Sequence, residues 1–156
     1  MATNTNLNNI SYWSHTGKNN TDPVINFIGT TDNKALVFKT NNILSGKIDP
    51  GTNNIFFGQS AGIGITSGTN NTFLGHQAGI TDTSGSNNLF VGHLAGKLNS
   101  SGNENVFNGK DAGKSNATGS RNVFVGEDAG IALAAIQEQQ RIIDQLVKRK
   151  EILEKK

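Results

Sequence analysis

Residues 85–96 read Gly85-Ser86-Asn87-Asn88-Leu89-Phe90-Val91-Gly92-His93-Leu94-Ala95-Gly96, and the same frame recurs four more times at one spacing. The copies open at Gly51, Gly68, Gly85, Gly102 and Gly119, seventeen residues apart, and about five looser residues close each one. The fourth position is always Asn: Asn54, Asn71, Asn88, Asn105 and Asn122. The sixth is always Phe: Phe56, Phe73, Phe90, Phe107 and Phe124. A fixed period marks a stacked architecture in which each unit buries its apolar face against its neighbours. It points away from a pocket enzyme and towards a shaft, a fibre or a binding surface.

Within each copy, positions five to seven form a short strand and the glycine at position eight ends it. The Ala-Gly at positions eleven and twelve makes a second bend. Glycines at three places per unit predict corners with positive φ or tight backbone approach. If one repeat is one rung, equivalent residues lie about 4.8 Å apart. The Phe line then becomes an apolar spine, and the Asn line pairs side-chain amides up and down the stack, as in cross-β ladders. Position seven gives a second line, Phe57, Leu74, Val91, Asn108 and Val125. If that line faces a threefold axis, three Asn108 amides meet there. Two charge reversals on consecutive rungs, Glu104 to Arg121 and Lys110 to Glu127, favour the same stacking.

The repeats occupy 51–130. Residues 1–50 form a separate N-terminal β head for attachment. Val24 to Ile28 and Ala35 to Lys39 read as the strands of a hairpin, with Gly29 to Lys34 as its turn. Tyr12 and Trp13, the chain's only Tyr and Trp, either plug the head's core or dock it to a larger assembly. Residues 131–156 lose Gly and Asn and form a helix about 36 Å long. A heptad places Ile136, Ile143 and Lys150 at a, and Ala132, Gln139, Leu146 and Leu153 at d. Ile at a with Leu at d suits a dimer, whereas Ile142 and Val147 widen the stripe towards a trimer. The helix either joins copies of itself or packs on its own β block.

Composition narrows the function. The 156 residues include 19 Gly and 22 Asn, with only 34% hydrophobic residues. So few apolar side chains point to partner chains that complete the core around a shared axis. The net charge of +2 sits in the C-terminal segment and forms no basic stripe, which excludes a nucleic-acid surface. There is no Cys for a disulfide or thiolate site. No apolar run is long enough to span a membrane, and the start does not read as a signal peptide. No nucleophile and base fall at a working spacing, so no enzyme and no cofactor are expected. His76 and His93 share position nine on consecutive rungs and are the only metal-ligand candidates; Gln59 and Lys110 in the same line read instead as a solvated surface.

The pattern G-x-x-N-x-F-x-G-x-x-A-G resembles the repeats of trimeric phage tail-fibre and tail-fibre-like proteins. Trp13-Ser14-His15-Thr16-Gly17 and the stretch from Asn26 to Asn42 resemble segments that precede such repeats. Similarity to the heads of trimeric autotransporter adhesins is more distant. The resemblance implies a mainly β homotrimer: a β-roll or β-prism of seventeen-residue rungs, a small N-terminal β domain and a C-terminal coiled coil. It implies a structural fibre on a virion or phage-like particle, exposed outside the cell after assembly, with baseplate or tail proteins as partners and a role in attachment. Two departures stand out: a missing signal peptide, against the adhesin, and a missing C-terminal chaperone domain. A glycan-binding adhesin module and a self-assembling extracellular filament subunit are the alternatives.

Overall fold

The computed structural model describes residues 27–154. The chain divides into two compact units, Met1–Asp32 and Asn33–Lys156. Of the first, the described residues 27–32 carry bends and no strand. Tyr12, Trp13 and most of the strand expected from Val24 lie outside the described residues.

The second unit is a β-solenoid with a C-terminal helix. Its strands are β1 (Leu36–Thr40), β2 (Ile43–Asp49), β3 (Asn54–Phe57), β4 (Thr72–Leu74), β5 (Leu89–Val91), β6 (Val106–Asn108) and β7 (Val123–Val125), and its helix is α1 (Ile131–Glu154). The seven strands form one sheet in chain order. The first two pairings are antiparallel. From β3 to β7 every pairing is parallel, and four turns of coil join those five strands. The register sets each repeat residue beside its counterpart, Phe56 on Phe73, Phe73 on Phe90, Phe90 on Phe107 and Phe107 on Phe124.

The remaining walls of the coil are turns, and they are laddered too. Leu94 N–H donates to His76 carbonyl at 3.0 Å and Asp111 N–H to His93 carbonyl at 2.8 Å. On another wall, Gly79 N–H donates to Ala95 carbonyl at 2.9 Å. Backbone groups that a loop would leave to water are thus paired between rungs. The position-three N–H groups bond likewise, Asn70 to Thr52 carbonyl at 2.9 Å, and two non-glycine positions per rung lie in the left-handed region. Position three (Asn53, Asn70, Asn87, Glu104, Arg121) and position ten (Ser60, Gln77, Leu94, Asp111, Asp128) all have φ between 54 and 61°. Outside Asn and Asp this conformation costs about 1–2 kcal/mol per residue. It persists where neighbouring rungs over-determine it.

Glycine is required at two of the corners. Gly92 has φ 133°, and a Cβ there would sit 2.6 Å from the Gly109 carbonyl carbon on the next rung. Gly96 has φ 62° and lies under the Phe90 ring. The five Phe rings stack at 4.7 to 5.1 Å, and the four from Phe56 to Phe107 are at most 2% exposed. Ala61, Ala78, Ala95 and Ala112 close the wall opposite them. One chain therefore encloses the Phe spine by itself. Small Ala and Gly side chains bring the walls close enough for one ring per rung to fill the interior.

The described residues contain a hairpin that the sequence did not suggest. β1 pairs with β2, and Asn41 and Asn42 make the turn with φ of 47° and 60°. A two-residue loop with positive φ at both positions is the signature of a type I′ turn, which Asn tolerates. The sheet also runs across residue 50, where the sequence suggested the end of the head, because β2 pairs with β3. The hairpin caps the first rung: Gly58 N–H donates to Ser45 carbonyl and Ser60 N–H to Leu44 carbonyl, both at 2.9 Å. Asn42→Val is expected to lower the unfolding free energy by about 1–2 kcal/mol in urea titration, since a β-branched residue resists that φ.

Candidate functional site

The buried Asn residues bond backbone. Asn71 Oδ1 accepts from Asn88 N–H on the next rung at 2.9 Å, and its Nδ2 donates to Gly85 carbonyl at 2.8 Å. Asn54, Asn88 and Asn105 do the same one rung apart. The expected amide-to-amide ladder appears only between Asn122 Nδ2 and Asn105 Oδ1, at 3.1 Å. The reason is local. Each Asn stands where the chain turns into its strand, and the N–H there has no backbone carbonyl to meet, so the side chain of the rung before supplies the acceptor.

A second buried polar line was hidden in the looser residues. Position fifteen carries Ile65, Asp82, Asn99 and Asn116. Asp82 and Asn99 are fully buried. Asp82 accepts from Gly85 N–H at 2.8 Å and from Asn99 Nδ2 at 3.1 Å, with Asn88 Nδ2 at 3.4 Å. Desolvation outweighs those donors and pushes the carboxyl up to about 6. The position varies from rung to rung, so repetition did not reveal it. An Asp or Asn three residues before Gly85, Gly102 and Gly119 was the available signal.

His76 and His93 are exposed and stack at 5.3 Å with rings 8° from parallel. Among the described residues no group of three or more His, Cys, Asp or Glu could hold a metal ion. Lys110 follows in that line and pairs with Glu127 on the next rung. Lys114 lies 3.0 Å from Asp111 and holds its carboxyl below the usual range. Among the described residues no ion pair joins Glu104 to Arg121.

What the fold does present is an uncovered apolar sheet face. Strand residues alternate, so Phe points inward while positions five and seven point outward. Ile55 and Leu89 are 40% and 38% exposed, Phe57 and Leu74 40% and 37%, and Val123 and Val125 each 68%. The hairpin extends this face with Ile48 and Phe38, the latter ring 5.6 Å from Phe57. None of the five parallel strands puts a charge there. Parallel sheets normally have both faces covered. Only the position-seven line was legible beforehand; position five and the hairpin contribution were not.

α1 carries a second uncovered surface. Among the described residues it makes no contact with a strand. Ile142, Ile143, Leu146, Val147 and Leu153 are all exposed, as are Gln139 and Lys150. The side chain of Ile136 lies outside the described ones. Glu138 pairs with Arg141 at 2.6 Å, and Gln140 donates to Asp144 at 2.9 Å. Among the described residues no helix is long and apolar enough to cross a membrane. No protein-family model, no curated protein and no solved structure matches the chain.

Proposed function

We propose that this chain is a structural fibre protein of a phage or phage-tail-like particle, a homotrimeric shaft of seventeen-residue rungs. One observation carries the reading: a single chain holds two uncovered apolar surfaces, the outer sheet face and the α1 stripe. Patches of this kind mark association sites. Parallel copies about one axis cover both at once, with the sheet faces inward and the helices joined in a coiled coil. Three copies suit the wide stripe that Ile142 and Val147 give the helix. The stack then works by stiffness, since every wall is hydrogen-bonded rung to rung. Other particle proteins bind its ends, and the assembled shaft projects outside the cell, where it takes part in attachment. It has no catalytic role and no cofactor.

The corner hydroxyls argue against a glycan-binding repeat surface. Thr66, Thr83 and Ser100 each donate to a carbonyl one rung on, at 2.9 to 3.1 Å, and so have no proton left for a sugar.

Light scattering on a sizing column tests the reading. The expected mass is three times 16.5 kDa. Ile143→Asp with Leu146→Asp, placing charges in the helix seam, is expected to weaken the trimer at least tenfold, which is about 1.4 kcal/mol. A wild-type chain that stays monomeric at every concentration overturns the proposal.

A further inference from the structure

Asn108 is the one polar side chain in the outward line of Phe57, Leu74, Val91, Asn108 and Val125. It ends β6, between Val91 on β5 and Val125 on β7. Its carbonyl accepts from Gly126 N–H at 2.8 Å. Its side-chain amide is exposed and makes no hydrogen bond among the described residues. Elsewhere the chain spends its inward amides fully: Asn54, Asn71, Asn88 and Asn105 each donate to a carbonyl and accept from an N–H.

We propose that the Asn108 amides of neighbouring copies pair with one another and fix the copies parallel and in register. The proposal rests on the shaft reading above. Leu74, Val91 and Val125 are apolar and of similar size, so they distinguish one register from the next only weakly. Asn108 distinguishes them strongly, because an amide buried against aliphatic side chains loses its water and gains no partner. A slip by one rung sets it on Val91 or Val125 of the neighbour. An antiparallel copy reverses the five rungs and sets it on Leu74. Only the parallel, unslipped arrangement brings amide to amide. A single polar residue in an apolar seam selects register in this way at some expense of stability.

The chain has no Cys, so disulfide capture reads the register directly. Full-length Leu74→Cys and Val91→Cys chains are mixed, unfolded, refolded together and oxidised, with Asn108 intact or replaced by Val. With Asn108 intact, only 74–74 and 91–91 links are expected. With Asn108→Val, 74–91 links are expected to rise to the statistical proportion while the thermal midpoint of the oligomer increases. Mixed links already present with Asn108, or still absent with Asn108→Val, overturn the proposal. A second full-length variant, Asn108→Asp, brings like charges together and is expected to lose the oligomer at pH 7 and regain it once the carboxylates are protonated. An Asn108→Asp chain with unchanged mass at pH 7 also overturns it. If the wild-type mass is a multiple of one chain yet no links form at 74 or 91, this inference fails and the shaft stands. If the wild-type mass is that of one chain, the shaft itself fails.

Discussion

Asn71→Ala is expected to lower the unfolding free energy by about 4 kcal/mol, as two buried backbone groups lose their partners at roughly 1–3 kcal/mol each. Asn88 N–H loses its acceptor at 2.9 Å, and Gly85 carbonyl loses its donor at 2.8 Å. Asn71 and Asn88 are nearly fully buried, so water does not replace the lost partner. The neighbour Asn70 provides the contrast. It is exposed, holds φ 58° and bonds only at the surface. Asn70→Gly keeps that conformation and is expected to change stability by no more than about 0.5 kcal/mol. Asn71→Leu separates bonding from packing, because Leu restores the volume without the amide. Urea titration of the three variants at one protein concentration decides the matter. If Leu recovers most of what Ala loses, the Asn line is a packing feature and the ladder argument is wrong.

This contrast also shows what was legible in the sequence. Positions that must be one residue type on every rung announce themselves by repetition. Phe fills a space of fixed width, Gly58, Gly75, Gly92 and Gly109 stand where a Cβ would strike the next rung, and Asn71 and its equivalents serve an N–H that occurs once per turn. The Phe spine and its register were therefore readable from spacing. The partners of Asn were not, because spacing says that residues align and not which atoms meet. The same limit hid position three. Asn53, Asn70 and Asn87 suit the left-handed backbone there, but Glu104 and Arg121 adopt it too, held by the rung bonds. Position fifteen stayed hidden because Ile65 opens a line that Asp82, Asn99 and Asn116 continue. The β1–β2 hairpin went unseen because Gly29 and the residues after it look more like a turn than Asn41-Asn42 does. Pairing of β2 with the first rung decides the matter, and that contact is not local in sequence. The outer face was half visible, since the mostly apolar position-seven line stood out and position five did not.

Asp82→Asn is expected to stabilise the chain by up to about 3 kcal/mol at pH 7 and to leave it nearly unchanged below pH 4. Asp82 has its carboxyl pushed from 3.8 to about 6, first by burial, against the donors Gly85, Asn99 and Asn88. Between about pH 4 and pH 6 the folded chain holds a proton there that the unfolded chain has released, so stability falls as pH rises through that window. The favourable contribution is complete below the unfolded value and gone above the folded one. Nearby rungs show that an amide fits. Asn99 accepts from Gly102 N–H and donates to Gly102 carbonyl, both at 3.1 Å, and Asn116 repeats this with Gly119 at 2.9 and 3.1 Å. The amide introduced by Asp82→Asn would bond Gly85 in the same way and would never ionise. Other carboxylates work in the opposite sense: Lys47 holds Asp49 low and Lys114 holds Asp111 low, so both favour the folded chain as pH rises. The quantity to measure is therefore the difference between the wild-type and Asp82→Asn chains in urea titrations at pH 4 and pH 7, in which those shared contributions cancel. A difference that grows from near zero to about 3 kcal/mol identifies Asp82 as a buried charge the fold tolerates. A difference that does not change with pH means the carboxylate is already neutral, or well solvated, throughout that range.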